Sequence, residues 1–296
     1  MYEVEFIKTV NGTNSTLALL PTNGYYVANI DGLTGISSNL TTADDYNGRG
    51  VHITAASSAA KTITVRGYIL DKQTTKKQDM LNFFKPAQKM RFAVRTYTNG
   101  GSASQALHRK YLSADVVVKT TPVITQERHS QYVIELSMPF PYFVAETQET
   151  LSPVVNNGFT DGTEVTVLGD IEPEFEWSFK ATNNVTNCSL IASATQGNAY
   201  ATDRQLMMLN FANTNNGKLV RDDTVRVWRD NGQLRAEITH SNNTTENAIG
   251  CVTLGSRMVY LPLGTWYMWT LETNSYITNS TVKYYPAYSG VLAYGV

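Results

Sequence analysis

Apolar and polar residues alternate over several short stretches of the chain. Tyr2, Val4 and Phe6 alternate with Glu3, Glu5 and Ile7, which predicts a strand with one face on a core. Asn11-Gly12 and Asn23-Gly24 are tight-turn pairs. Leu17, Leu19 and Leu20 between them predict a returning strand, and residues 25–30 lead into a further turn at Asp31-Gly32. Residues 61–70 alternate strictly, with Ile63, Val65, Gly67 and Ile69 on one face and Thr62, Thr64, Arg66 and Tyr68 on the other. A helix is predicted next. Asp71 is placed to cap it, Met80, Leu81 and Phe84 form an apolar stripe, and Pro86 ends it. Residues 90–97, 112–119 and 132–138 predict strands, with a break at Asn99-Gly100-Gly101. Pro139 and Pro141 then mark a sheet edge or exit.

Residues 36–60 break this pattern. They are small and polar, with Asp44, Asp45, Asn47, Gly48, Arg49 and Gly50 in the middle. About 25 residues with little apolar periodicity are too long for an ordinary connection. They predict either a mobile loop or an arm lying on another subunit. A second shift comes at residues 147–162, rich in Ser, Pro, Asn, Asp and Gly. This places a domain boundary, giving domains 1–150 and 151–296. Beyond it the pattern predicts strands at 174–179, 206–211, 224–228, 234–238 and 258–261, separated by turns such as Asn216-Gly217 and Asn231-Gly232. Short strands at this spacing predict a β-sandwich. The fold class is mainly β: an N-terminal β-sandwich with one short helix and a long arm or insert, then a C-terminal β-sandwich.

Composition sharpens this reading. Of 296 residues, 42 % are hydrophobic, enough for a substantial core, and 17 % are charged, below the usual ~25 %. Thr, Asn, Ser and Tyr supply the missing polarity, a mixture that favours strands and turns. Lys and Arg number 24 against 25 Asp and Glu, for a net charge of −1. A reader of nucleic acid would carry a basic excess or clusters. Cys188 and Cys251 are too few for a disulfide framework. They could pair, but the reading preferred is two buried free thiols. The first eight residues lack the pattern of a signal peptide, and no apolar run reaches the ~18 residues of a membrane span.

Candidate chemistry is sparse. His52, His108, His129 and His240 show no helical metal-ligand spacing, and no cysteine cluster joins them. No nucleophile elbow, phosphate loop or dinucleotide fingerprint is present. Neither catalytic residues, a metal nor a cofactor is expected. Glu172, Glu174 and Glu176 lie at two-residue spacing, roughly 6.5–7 Å apart on one strand face, near a glycosidase's carboxylate separation. A glycosidase places its pair across a cleft, so the plain reading is a strand with a wet acidic face. Trp228, Trp266, Tyr267 and Trp269 are either core aromatics or a platform for stacking sugars.

The order of features resembles one family. Asp31-Gly32-Leu33 precedes the polar insert with Gly48-Arg49-Gly50. Then come a strand at 61–69, a helix at 76–84, Pro86, and the strand Met90-Arg-Phe-Ala-Val94. This resembles the N-terminal domain of the distal tail proteins of long-tailed, non-contractile bacteriophages. Gly169-Asp-Ile-Glu-Pro-Glu-Phe175, Asp222-Asp-Thr-Val-Arg-Val227 and Tyr260-Leu-Pro-Leu-Gly264 resemble the opening strand, a middle strand and a turn of that family's C-terminal domain. The chain departs in an extra residue between Pro262 and Gly264, and in Thr265-Trp-Tyr-Met-Trp269 after it.

The resemblance implies a structural virion protein at the tail tip, made in the host cytoplasm. Six copies would close into a ring through the N-terminal domain, with a channel that DNA crosses unread. The C-terminal domain would be a galectin-like sandwich. Partners implied are the major tail protein, the tape-measure protein, the tail-associated tip protein and receptor-binding proteins, with no membrane. The arm within 36–60 would reach the neighbouring subunit, which places Asp44, Asp45, Arg49 and His52 at that contact. The main alternative is a carbohydrate-binding protein whose sugar platform is Trp228, Trp266 and Trp269. A wall-degrading enzyme, or a component of another kind of tail, would be further readings.

Overall fold

The computed structural model describes residues 2–44, 51–70, 73–97, 109–125, 130–156, 162–195, 204–230, 233–253 and 260–291; the predicted break at Asn99-Gly100-Gly101 and the turn at Asn231-Gly232 lie outside them. β1 (Tyr2–Val10) turns through Asn11 and Gly12, both at positive φ, into β2 (Thr13–Leu19). Two left-handed residues match the twist of a two-residue hairpin, which is why Asn-Gly stands there. Val4 and Phe6 face inward and are buried. β3 (Tyr25–Asp31) ends at Gly32, at φ +86. A side-chain carbon there would sit 2.2 Å from the Thr62 carbonyl oxygen, so only glycine lets the two backbones approach.

The chain continues through β4 (Ser38–Asp44), β5 (Val51–Ser58), β6 (Lys61–Ile69) and α1 (Gln73–Phe83). Then come β7 (Lys89–Tyr97), β8 (Arg109–Val118), β9 (Val123–Ile124), β10 (Gln131–Met138) and β11 (Phe143–Ala145). The main sheet runs β2-β1-β7-β8-β10-β6-β3, antiparallel throughout. Its ends approach one another, β1 and β2 lying near β3. The sheet therefore curls over and faces itself around one core.

Helix α1 lies on that core. Phe84, just past its end, meets Phe6 edge to face at 4.8 Å. The Tyr25 hydroxyl donates to the Lys76 carbonyl. Lys8 donates through Nζ to the Phe83 carbonyl at 2.9 Å, placing a cation where the helix dipole favours one. The expected stripe of Met80, Leu81 and Phe84 is corrected at one position. Leu81 is 36 % exposed, and Phe83 is buried beside Met80 and Phe84. The i, i+3, i+4 spacing of 80, 83 and 84 is the helical one. The expected cap, Asp71, lies outside the described residues.

The second unit begins with β12 (Glu149–Leu151), β13 (Val154–Asn156), β14 (Thr163–Val167) and β15 (Phe175–Ala181). It continues with β16 (Asn187–Ser193), β17 (Arg204–Asn210), β18 (Thr224–Asp230) and β19 (Gln233–Thr239). β20 (Thr245–Asn247), β21 (Gly264–Leu271) and β22 (Ile277–Tyr284) complete it. One sheet runs β12-β22-β15-β18-β19-β20; the other runs β13-β21-β16-β17, with β14 also on β21. Phe175, Trp177 and Phe179 from the first sheet share a core with Cys188, Leu190 and Met268 from the second. This is a β-sandwich. Of the strand predicted at 258–261, residues 258 and 259 lie outside the described residues, and Tyr260 forms a lone bridge to Glu174.

β23 (Ala287–Tyr288) carries the chain back to the first unit. The chain divides into residues 1–146 with 288–296, and residues 147–287. The sequence reading gave 288–296 to the second domain. Instead Val291 is buried in the first core, its N–H donating to the Leu33 carbonyl at 2.8 Å.

Candidate functional site

The polar insert is a β-hairpin. β4 and β5 pair with each other in a two-stranded sheet of their own. The sequence alternatives were a mobile loop or an arm; a two-stranded ribbon is the form found. Ala59 N–H donates to the Ser37 carbonyl at 2.8 Å and closes its base. The described side chains of both strands, 38–42, 53–55 and 58, are exposed, which explains the weak apolar periodicity. A lone two-stranded ribbon is marginally stable in water.

A bulge gives this ribbon one apolar face. Leu40 pairs with Ala56 and Thr41 with Ala55, but Thr42 pairs with Ile53, so Thr54 is the extra residue. The Thr54 hydroxyl donates to the Thr41 carbonyl at 3.0 Å. Paired residues share a face, and residues two apart on a strand share a face. The shift therefore puts Leu40, Thr42 and Ile53 on one face; without it Ile53 would pair with Ala43 and turn to the other face. Leu40 is 55 % and Ile53 60 % exposed. Asp44 stands opposite Val51 and His52 opposite Ala43, towards the far end of the ribbon. Asp45 and Arg49 lie outside the described residues.

The tryptophans do not form one platform. Trp228 is on β18, in the sheet built on β15, and the Arg226 guanidinium lies 4.4 Å over its ring. Trp266 and Trp269 belong to β21 in the other sheet, on opposite faces of that strand. Trp266 packs against the core and donates through Nε1 to the Leu263 carbonyl at 2.8 Å. Trp269 is buried, and its Nε1 has no hydrogen-bond partner. The sugar-platform expectation is corrected by this separation.

The acidic row is answered by arginines on the next strand. Arg226 donates to Glu176 at 2.7 Å, and Arg229 donates to Glu174 at 2.9 Å and to the Tyr260 hydroxyl at 2.8 Å. The two glutamates share one strand edge and face, bound in ion pairs rather than flanking a cleft. Cys188 and Cys251 are free and buried. Burial pushes both thiols up, Glu272 adding to the effect at Cys188 and Glu246 at Cys251. A raised thiol is a poor nucleophile at neutral pH. Among the described residues no group of three His, Cys, Asp or Glu side chains is placed to hold a metal, and no helix is long and apolar enough to cross a membrane.

One arrangement has no signal in the sequence. His240 follows β19, and its ring lies between Asp223 and Glu246, 17 and 6 residues away along the chain. No motif joins these positions; the antiparallel pairing of β18, β19 and β20 does.

No family model matches the chain, nor does any curated protein. Among solved structures, chains of the phage P2 baseplate in its activated conformation, with Ca and with Sr, align at a TM-score of 0.43 and 12 % identity. They cover 97 % and 96 % of this chain, and 98 % of their own. The Dit protein (gp 19.1) of phage SPP1 aligns at a TM-score of 0.63 and 10 % identity, over 97 % of this chain and 99 % of its own. That protein is described as a paradigm of the hub adsorption apparatus in phages infecting Gram-positive hosts. Along almost its whole length, therefore, the chain has the fold of the SPP1 Dit protein.

Proposed function

We propose that the chain is a structural protein of a phage tail, the hub of its tip or baseplate. Six copies form a ring that joins the tail tube to the tip and host-adsorption proteins and leaves a channel for DNA. The observation that carries this reading is the fold shared over 97 % of the chain with a hub protein. Fold alone does not assign function, so the hairpin matters as independent support. A ring needs a head-to-tail contact that closes after a fixed number of copies. A ribbon with its own exposed apolar face buries on a neighbour what it cannot bury at home. The near-zero net charge of −1 leaves little repulsion between copies.

The role is mechanical rather than catalytic. Glu174 and Glu176 are held in ion pairs and the thiols are buried. The partners are the major tail protein, the tape-measure protein, the tail-associated tip protein and receptor-binding proteins, and DNA passes without being read. Immunogold labelling with an antibody against the second unit tests the location. On particles of the phage that encodes the chain, label is expected at the end of the tail away from the head. Label on the head, or spread along the tube, contradicts the proposal.

A further inference from the structure

The His240 ring makes two contacts with carboxylates from separate segments of the second unit. Nδ1 is 3.1 Å from Asp223 Oδ1, and Nε2 is 3.2 Å from Glu246 Oε2. An ionised carboxylate can only accept, so both contacts are hydrogen bonds only when both ring nitrogens carry protons. The ring is then a cation between two anions. Each carboxylate also holds a backbone amide with its second oxygen. Asp223 Oδ2 accepts from Val220 N–H at 2.9 Å, and Glu246 Oε1 accepts from Asn215 N–H at 2.9 Å. Three turns are thereby tied to one imidazole: 211–217, 220–223 and 240–246.

The surrounding charges leave this cluster to itself. Asp222, next to Asp223, is engaged by Lys180 at 2.7 Å and lies 3.8 Å from Arg221. Cys251, which also feels Glu246, is held as a neutral thiol, chiefly by burial. Burial of the ring works against its charge, but the bonds to Asp223 and Glu246 outweigh it. The His240 pKa is raised above the ordinary 6.5.

We propose that His240 is a proton-operated clamp, which ties the three turns together when charged and releases Glu246 and the 211–217 turn when it loses its proton. The side of release follows from burial. The Asp223 side chain is 0 % exposed, whereas that of Glu246 is 13 % exposed. A buried carboxylate must keep its donor, so the one remaining ring proton stays on Nδ1. Nε2 then turns a lone pair towards Glu246, which moves to water and leaves the Asn215 amide. A pKa raised on folding gives stability that is fully present below the unfolded value of 6.5 and is lost as pH rises through the folded value. The clamp is closed on the acid side and opens on the alkaline side.

Two measurements on the full chain test it together. Histidine-selective NMR gives the ring's titration, with His240→Gln assigning its signal. Hydrogen exchange read by mass spectrometry reports on residues 211–217. The expected result is a midpoint above 6.5, with both ring nitrogens protonated on its acid side. Exchange in 211–217 should rise about tenfold or more beyond the intrinsic effect of pH as that midpoint is passed, the scale of one lost charge-assisted bond. Glu246→Gln, at the more exposed partner, should lower the midpoint and remove the pH step in exchange. A midpoint at or below 6.5 overturns the proposal. So does a raised midpoint with exchange in 211–217 that follows the intrinsic rate alone.

Discussion

A chain carrying Leu40→Asp and Ile53→Asp is expected to keep its fold and lose its assembly. Both side chains lie on the same face of the β4–β5 ribbon because of the bulge at Thr54, and both are more than half exposed. Neither belongs to a core. Replacing exposed residues away from a core costs a monomer about 0.5 kcal/mol or less. On a neighbour the same positions would be buried, and an unpaired charge taken out of water costs several kcal/mol. With two such charges per copy, the concentration needed for assembly should rise at least about a hundredfold. Circular dichroism and the unfolding midpoint should stay at the parent values, while sedimentation shows the smaller species. A double variant that assembles at the parent concentration removes the ribbon from the interface.

Trp177→Ala is expected to produce the largest loss of stability in the second unit. The indole is fully buried in the centre of the sandwich, with its ring 4.8 Å from that of Phe179. Its Nε1 donates to Ser280 Oγ at 3.1 Å, and Ser280 Oγ lies 2.6 Å from Thr270 Oγ1. Truncation removes the ring's burial, leaves a cavity and breaks a buried polar chain. Such changes cost about 3–5 kcal/mol against a total of about 5–15 kcal/mol for a domain. The unfolding midpoint of the second unit should fall by about 10 °C or more, as read by scanning calorimetry. A fall of under about 3 °C would mean that the core closes over the gap and that Trp177 does not organise it.

Where one strand face was wet and the other dry, the pattern was legible. β1, β6, β10 and β15 alternate in sequence, and their burial alternates in the same phase. β16 was not legible, because Cys188 to Ser193 are buried on both faces and alternation vanishes. The strands β21 and β22, late in the unit's sequence, pair inside the two sheets with strands far earlier in the chain, and nothing local announces their partners. The ribbon at 38–58 was legible only as a departure. A strand pair that covers no core carries no periodic apolar signal. Its decisive detail, the bulge that turns Ile53 to the side of Leu40, is a matter of pairing that composition does not encode.

The candidate sites divide along the same line. Glu174 and Glu176 were visible as a spaced pair, but their meaning depends on Arg226 and Arg229, some fifty residues away in sequence. The three tryptophans were close in type and not in space, since the odd spacing of 266 and 269 puts them on opposite faces of one strand. His240 was only one of four histidines until the β18–β19–β20 pairing set Asp223 and Glu246 on either side of it.

The native mass of the purified full chain, measured by sedimentation velocity over a concentration series, tests the ring most directly. Closure by a head-to-tail contact predicts a species of six copies of 32.8 kDa, about 197 kDa, or an integer multiple of it. A 32.8 kDa monomer at every concentration would contradict a ring built by this chain alone.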